Sequence, residues 1–188
     1  MLPSETRGDS ERLPGVGQRR FLLAAWTTAL AFVVFVWGFA PTAQGERDGS
    51  GAFGFRFEMP LTEALQRLES QSTSYDRKDR DGGRVEVTIS SVPVELPGTP
   101  RETFLSFFEE KLYAISISWT DHPRRTYNEM LDLLRSKYGR PVEFNAYAAR
   151  WMIRDDVVIL LQIVDEKATY LDYIFLPLAT TAGKARDL

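Results

Sequence analysis

"VVILLQIV", residues 157–164, is apolar at every position except Gln162, and both of its alternating phases are hydrophobic. The run is eight residues long and is bounded by "RDD" (154–156) and "DEK" (165–167). That is strand length rather than helix length, and the polar triplets are turn signals. A strand apolar on both faces has to be covered on both, so this run is expected to be central in its sheet. "AYAARWMI" (146–153) precedes it and "TYLDYIFLPL" (169–178) follows. Three strands joined by short turns have the connectivity of an antiparallel sheet.

Upstream of these strands, Tyr127, Met130, Leu131, Leu134 and Tyr138 form one stripe at helical spacing. Thr126 and Glu129, three residues apart, match a capping box at its start. Gly139 supplies a left-handed exit, and Pro141 prevents continuation. The same order can be read earlier in the chain. "EMPLTEALQRLES" (58–70) carries Pro60 in its first turn and Leu61, Ala64, Leu65 and Leu68 on one stripe. Val85, Val87 and Ile89 then alternate with Glu86, Thr88 and Ser90. "TFLSFF" (103–108), Glu109-Glu110 and "KLYAISISW" (111–119) read as a hairpin. In its second strand Tyr113, Ile115, Ile117 and Trp119 share one phase, and Ala114, Ser116 and Ser118 share the other. The expected fold is therefore α+β: an antiparallel sheet of about 5–7 strands with two helices on one face. Helix–strand–strand–strand is readable twice, as two αβββ half-repeats.

The N-terminal part differs in kind. From Phe21 to Ala40 there is no charged residue, and a helix of that length spans about 30 Å, the hydrocarbon thickness of a bilayer. Arg19 and Arg20 precede it, while Glu46, Arg47 and Asp48 follow. The positive-inside bias places the N-terminus in the cytoplasm and the rest outside. Ala43-Gln44-Gly45 also permits cleavage before Glu46, so a retained inner-membrane anchor and a removed signal peptide both stand. The organisation expected is a cytoplasmic segment (1–20), an anchor or signal (21–40), a linker (41–54), an extracytoplasmic domain (55–178) and a flexible tail (179–188).

Composition excludes several function classes. The chain carries 23 Lys+Arg against 26 Asp+Glu, a net charge of −3. From Glu46 onward the counts are 19 and 23, with both signs interspersed, so electrostatic binding to nucleic acid has no support. There is no cysteine, which removes disulfides, thiolate metal sites, a cysteine nucleophile and the lipidated residue of a bacterial lipoprotein. Gly49, Gly51 and Gly54 satisfy G-x-G-x-x-G. However, a dinucleotide fingerprint needs a buried strand before it and a helix after it, and neither is present.

His122, the only histidine, stands beside Asp121 and Pro123 in a connecting segment, where a loop role outweighs a general-base role. One histidine and no cysteine do not make a zinc site. Asp79, Asp81 and Gly82 lack the calcium-loop spacing, since Arg77 and Thr88 fall where Asp and Glu are required. Glu109-Glu110 and Asp155-Asp156 sit at turns facing water. No catalytic, cofactor or metal residue is assigned. Aromatic residues at alternating strand positions are core positions first. Where the sheet face away from the helices is open they form a recognition surface, with Trp119, Tyr147, Trp151 and Tyr173 as candidates.

"LLRSKYGRP" (133–141), followed by Trp151, "RDD" and "VVILL", resembles a helix–strand–hairpin unit of exported bacterial proteins. The order is similar to outer-membrane assembly lipoproteins of the SmpA/OmlA type and to β-lactamase inhibitor protein domains, over roughly Phe57 to Pro177. The resemblance implies a non-catalytic periplasmic domain that binds an envelope protein partner. It carries over no functional residue, and the lipoprotein's anchoring cysteine is missing. A small-molecule or lipid-binding domain, with its pocket between sheet and helices, is the alternative.

Overall fold

The computed structural model describes residues 50–90 and 95–183. The chain begins there with a short hairpin, β1 (Gly51–Ala52) and β2 (Phe55–Arg56), and a helix α1 (Leu61–Ser70). Four strands follow: β3 (Tyr75–Arg80), β4 (Arg84–Ile89), β5 (Glu102–Phe108) and β6 (Lys111–Trp119). The second helix, α2 (Pro123–Tyr138), precedes β7 (Glu143–Phe144), β8 (Ala148–Ile153), β9 (Val157–Val164) and β10 (Ala168–Phe175), and α3 (Leu176–Thr181) closes the described chain.

The expected antiparallel α+β architecture is present, with an eight-stranded main sheet in the order β3-β4-β5-β6-β10-β9-β8-β7. Each half is a helix followed by four strands, not three. The halves meet antiparallel at their last strands, with Leu171 opposite Ile117. The two strands beyond expectation are the edges. β3 is "YDRKDR" with five of its six residues exposed, and β7 is two residues long. Neither has an apolar phase to read; the backbone ladder to β4 or β8 makes each a strand.

Register places Val87, Leu105, Ile115, Ile117, Trp119, Leu171, Tyr173, Leu161 and Trp151 on one face. They share the main core with Leu61, Ala64 and Leu68 of α1 and Tyr127, Met130, Leu131 and Leu134 of α2. α1 has ten residues and would be marginal alone. Burying Leu61 and Leu68 contributes about 1.5–3 kcal/mol each.

The other face is covered in part. The register shift between Ser106 and Phe107 sets Ala114 opposite Ser106 but Leu112 opposite Phe107. Tyr113 is the unmatched residue of this bulge. It leaves the phase of Ile115 and joins Ala114 and Ala179 of α3 in a second cluster. The simple alternation expected for Tyr113, Ile115, Ile117 and Trp119 therefore fails at its first member. β9 is likewise only partly double-covered: Val158 is buried, Leu160 and Gln162 are half-buried, and Val164 is exposed.

Both ends of the expected domain need correction. Residues 51–54 are not linker. Ala52, Phe53, Phe55 and Phe57 are buried, Phe53 meets Tyr173 edge-to-face at 5.3 Å, and Phe57 stacks on Phe175 at 5.6 Å. A Cβ on Gly51 would lie 2.0 Å from the Phe55 carbonyl oxygen, so the hairpin requires glycine there. At the other end, Leu176–Thr181 is helix with Ala179 buried, so the strand expected to reach Leu178 and the tail expected from 179 are both replaced. The expected segments 1–20 and 21–40, and most of the linker, lie outside the described residues. Among the described residues no helix is long and apolar enough to cross a membrane.

Candidate functional site

α2 opens on His122, which is in the left-handed conformation (φ 50°), with Pro123 at the first helical position, where no N–H is needed. The expected capping box does not form, because Thr126 and Glu129 already lie inside the helix. Thr126 Oγ1 donates to the Asp121 carbonyl at 3.3 Å, and Glu129 pairs with Arg125 at 2.8 Å. Thr169 Oγ1 donates to the Pro123 carbonyl at 2.6 Å and ties the helix start to β10.

At the exit, Gly139 has φ 80° and ψ −154°, a region essentially reserved for glycine. The exit is left-handed in φ, as expected, but extended in ψ, so the chain turns directly toward β7. Trp151 Nε1 donates to the Gly139 carbonyl at 3.0 Å. The Val142 N–H donates to the Arg150 carbonyl at 2.7 Å, and Glu143 pairs with Arg150. Asn145 Oδ1 accepts from the N–H groups of Tyr147 and Ala148, each at 2.8 Å. Residues 139–148 are thus held from helix end to strand start.

This segment lies along the flank of α2. The Arg124 guanidinium sits over the Tyr147 ring, 5.0 Å from its centroid, and donates to the Ala146 carbonyl at 2.6 Å. Arg135, three turns on, sits over Phe144 at 4.7 Å. Tyr127 is buried near the two arginines, with its hydroxyl 3.5 Å from the Asn145 carbonyl. Burial raises the Tyr127 pKa above its ordinary value, and Arg135 and Arg124 partly offset that rise.

Six large hydrophobic side chains are exposed among the described residues. Four of them, Val142 (60%), Phe144 (54%), Tyr147 (51%) and Met152 (36%), fall in the eleven residues 142–152. Phe144 and Tyr147 lie on the α2 side of the edge, against Arg135 and Arg124, whereas the register of Met152 with Val158 and Ile174 puts it on the opposite sheet face. The opposite edge is the reverse case. β3 presents Asp76, Arg77, Lys78, Asp79 and Arg80 to water, with Arg77–Asp79 at 2.9 Å and Lys78–Asp76 at 3.9 Å. Charge on an edge strand blocks pairing with other chains.

A cleft of about 750 Å3 adjoins the start of α2, lined by His122, Pro123, Arg124, Arg125, Asn128, Glu129, Ile163 and Glu166. Its carboxylates face arginines: Glu129 is bonded to Arg125, and Glu166 stands 4.0 Å from Arg124. These lining residues include no hydroxyl or thiol nucleophile beside His122. Asp79 lies on β3 and Gly82 in the β3–β4 turn, and no group of three or more Asp, Glu or His among the described residues is placed to hold a metal.

Of the four expected surface aromatics, three are core: Trp119 is 0% exposed, Trp151 1% and Tyr173 4%. All three sit on the sheet face under the helices. Only Tyr147 reaches the surface. Trp151 still bears on the site from beneath, through its bond to Gly139. Arg124, Arg135, Phe144 and Val142 were missed. The available signal was the eleven-residue spacing of the arginines, which brings them to one helix flank, and the two aromatics just after the helix.

The edge hairpin, α2 and the remaining strands of the second half all fall within residues 53–184, which match the model of the TP0088 domain. The chain belongs to the TP0088 domain family. No curated protein and no solved structure matches it. The TP0088 match begins at Phe53, in the turn of the β1–β2 hairpin, and so takes in β2 and the buried Phe55 and Phe57.

Proposed function

We propose that this TP0088 domain is a non-enzymatic partner-binding domain of the bacterial envelope. It is exported, or held at the outer face of the inner membrane by residues 21–40, and docks a protein through the edge formed by α2, β7 and β8. The observation that carries this reading is the concentration of exposed Val142, Phe144 and Tyr147 at one sheet edge, with Arg135 over Phe144 and Arg124 over Tyr147. Aromatic and arginine side chains dominate interface energetics. The opposite, charge-coated edge supplies an internal control. A second reading, small-ligand binding, rests on the cleft beside His122.

A photoreactive amino acid placed at position 147 of the full chain in intact cells should give one discrete cross-linked species. The same probe at position 77, on the β3 edge, should not. No adduct at 147, or equal adducts at both positions, overturns the proposal.

A further inference from the structure

The charge of the docking edge indicates what kind of segment would occupy it. Residues 123–153, α2 through β8, contain six Lys/Arg and three Asp/Glu, and Glu166 adds a carboxylate beside Arg124, although the whole chain is at −3. Arg125, Arg150 and, at longer range, Arg124 have acidic partners. Arg135 and Arg140 are exposed and have no acidic partner among the described residues. Arg135 is not loose, because its guanidinium lies against the Phe144 ring. Arg124 is fixed in the same way by Tyr147 and the Ala146 carbonyl. A guanidinium already held over a ring loses less freedom when it receives a carboxylate in bidentate fashion. The two arginines are eleven residues apart on one helix, about 16 Å along its axis. In an extended chain rising about 3.3 Å per residue, four residues, the even spacing that keeps both side chains on one face, span about 13 Å, within reach of the two flexible arginine side chains.

We propose that the occupant of this edge is an extended acidic segment of a partner protein. Two of its carboxylates, four residues apart and so on one face of the extended chain, are received by Arg124 and Arg135, and aliphatic side chains between them cover Val142 and Phe144. The proposal rests on the docking reading above and specifies its partner. A second copy joined through the same edge would set positive charge against positive charge, which disfavours it.

The test uses the full chain in non-ionic detergent and a fluorescein-labelled peptide of alternating Val and Thr that carries two Glu four positions apart, on one face. Saturable binding by fluorescence anisotropy is expected. It should weaken about tenfold when the two Glu are replaced by Lys, and again when they are moved to two positions apart. Arg135→Ala and Arg135→Lys should both weaken binding of the acidic peptide, the second because the planar fork is lost while charge is kept. Arg77→Ala on the β3 edge should leave it unchanged. Unfolding midpoints of the variants, matched to the parent, establish that each is folded.

Equal affinity for the Glu and Lys peptides overturns the proposal, as does indifference to Arg135. Binding to anionic vesicles with no peptide binding assigns the edge to a lipid surface instead. A concentration-dependent dimer lost in Phe144→Asp, again without peptide binding, assigns it to a second copy. A cross-link at position 147 together with no peptide discrimination sinks this inference alone. Absence of the cross-link sinks the docking reading beneath it.

Discussion

Trp151→Phe and Trp119→Phe remove the same atoms from two buried positions, 1% and 0% exposed, and should nevertheless differ in cost. The Trp151 indole N–H donates to the Gly139 carbonyl at 3.0 Å. The Trp119 indole N–H is buried with no hydrogen-bond partner among the described residues. Losing part of the ring system costs roughly 1–2 kcal/mol at either site through lost apolar contact and residual cavity. At position 151 the lost hydrogen bond adds about 1 kcal/mol, for a total of about 2–3 kcal/mol. At position 119 the substitution also removes a buried, unsatisfied donor, which returns about 1–3 kcal/mol, so the net change lies near zero. The assay is urea unfolding of the full chain in non-ionic detergent, followed by far-UV circular dichroism because each substitution removes one of the four tryptophans and changes the fluorescence signal itself. With an unchanged m-value, a gap of about 2 kcal/mol appears as a midpoint difference on the order of 1 M. A Trp119→Phe variant destabilised as much as Trp151→Phe would refute the reasoning.

Other expectations follow from single contacts. Gly139→Ala meets no atom within 4 Å of the new Cβ, so its cost should be the backbone strain alone, about 1–3 kcal/mol, read as a drop in unfolding midpoint. Thr169→Val removes the bond from β10 to the Pro123 carbonyl and should cost about 1–2 kcal/mol, with faster amide exchange at the start of α2 as the local sign. Tyr127 has its folded pKa raised above the ordinary 10.0 by burial. The stability from keeping its phenol neutral is therefore present below pH 10 and lost as pH rises through the higher folded value. Tyr127→Phe should flatten that alkaline decline in unfolding midpoints, while Arg135→Ala should raise the Tyr127 pKa further. Intact mass of the cell-expressed protein separates the two N-terminal fates: a chain beginning at Glu46 means cleavage after Gly45, and a retained Phe21–Ala40 means an anchor.

What could be read from the chain follows which residues carry periodicity. Leu61, Ala64 and Leu68, and Met130, Leu131 and Leu134, announce their helices because apolar spacing of three and four serves only a helix that buries one stripe. β4, β5, β6, β8, β9 and β10 announce themselves because they have cores to face. "YDRKDR" has none. It is a strand only because β4 offers it a ladder, and that pairing is invisible in local composition. The bulge at Tyr113 escaped for a related reason, since alternation in one strand carries no record of a residue skipped by its partner. The capping box misled because Thr126 and Glu129 fit the spacing while Pro123, three residues earlier, already started the helix.

By itself, the sequence determined the α+β class, the twofold repetition of helix and strands, the turns, the chemistry excluded by missing cysteine, and the motif Tyr138-Gly139-Arg140-Pro141 that ends α2. Which aromatics face water was decided only in three dimensions. Trp119, Trp151, Tyr173 and Tyr147 are alike as residues on or beside strands, but burial depends on what lies across the sheet, a property of partners distant in the chain. The helices and the β1–β2 hairpin, whose Phe53 packs on Tyr173, cover the first three, while the edge position of β7 and β8 leaves Tyr147 and Phe144 exposed beside Arg124 and Arg135.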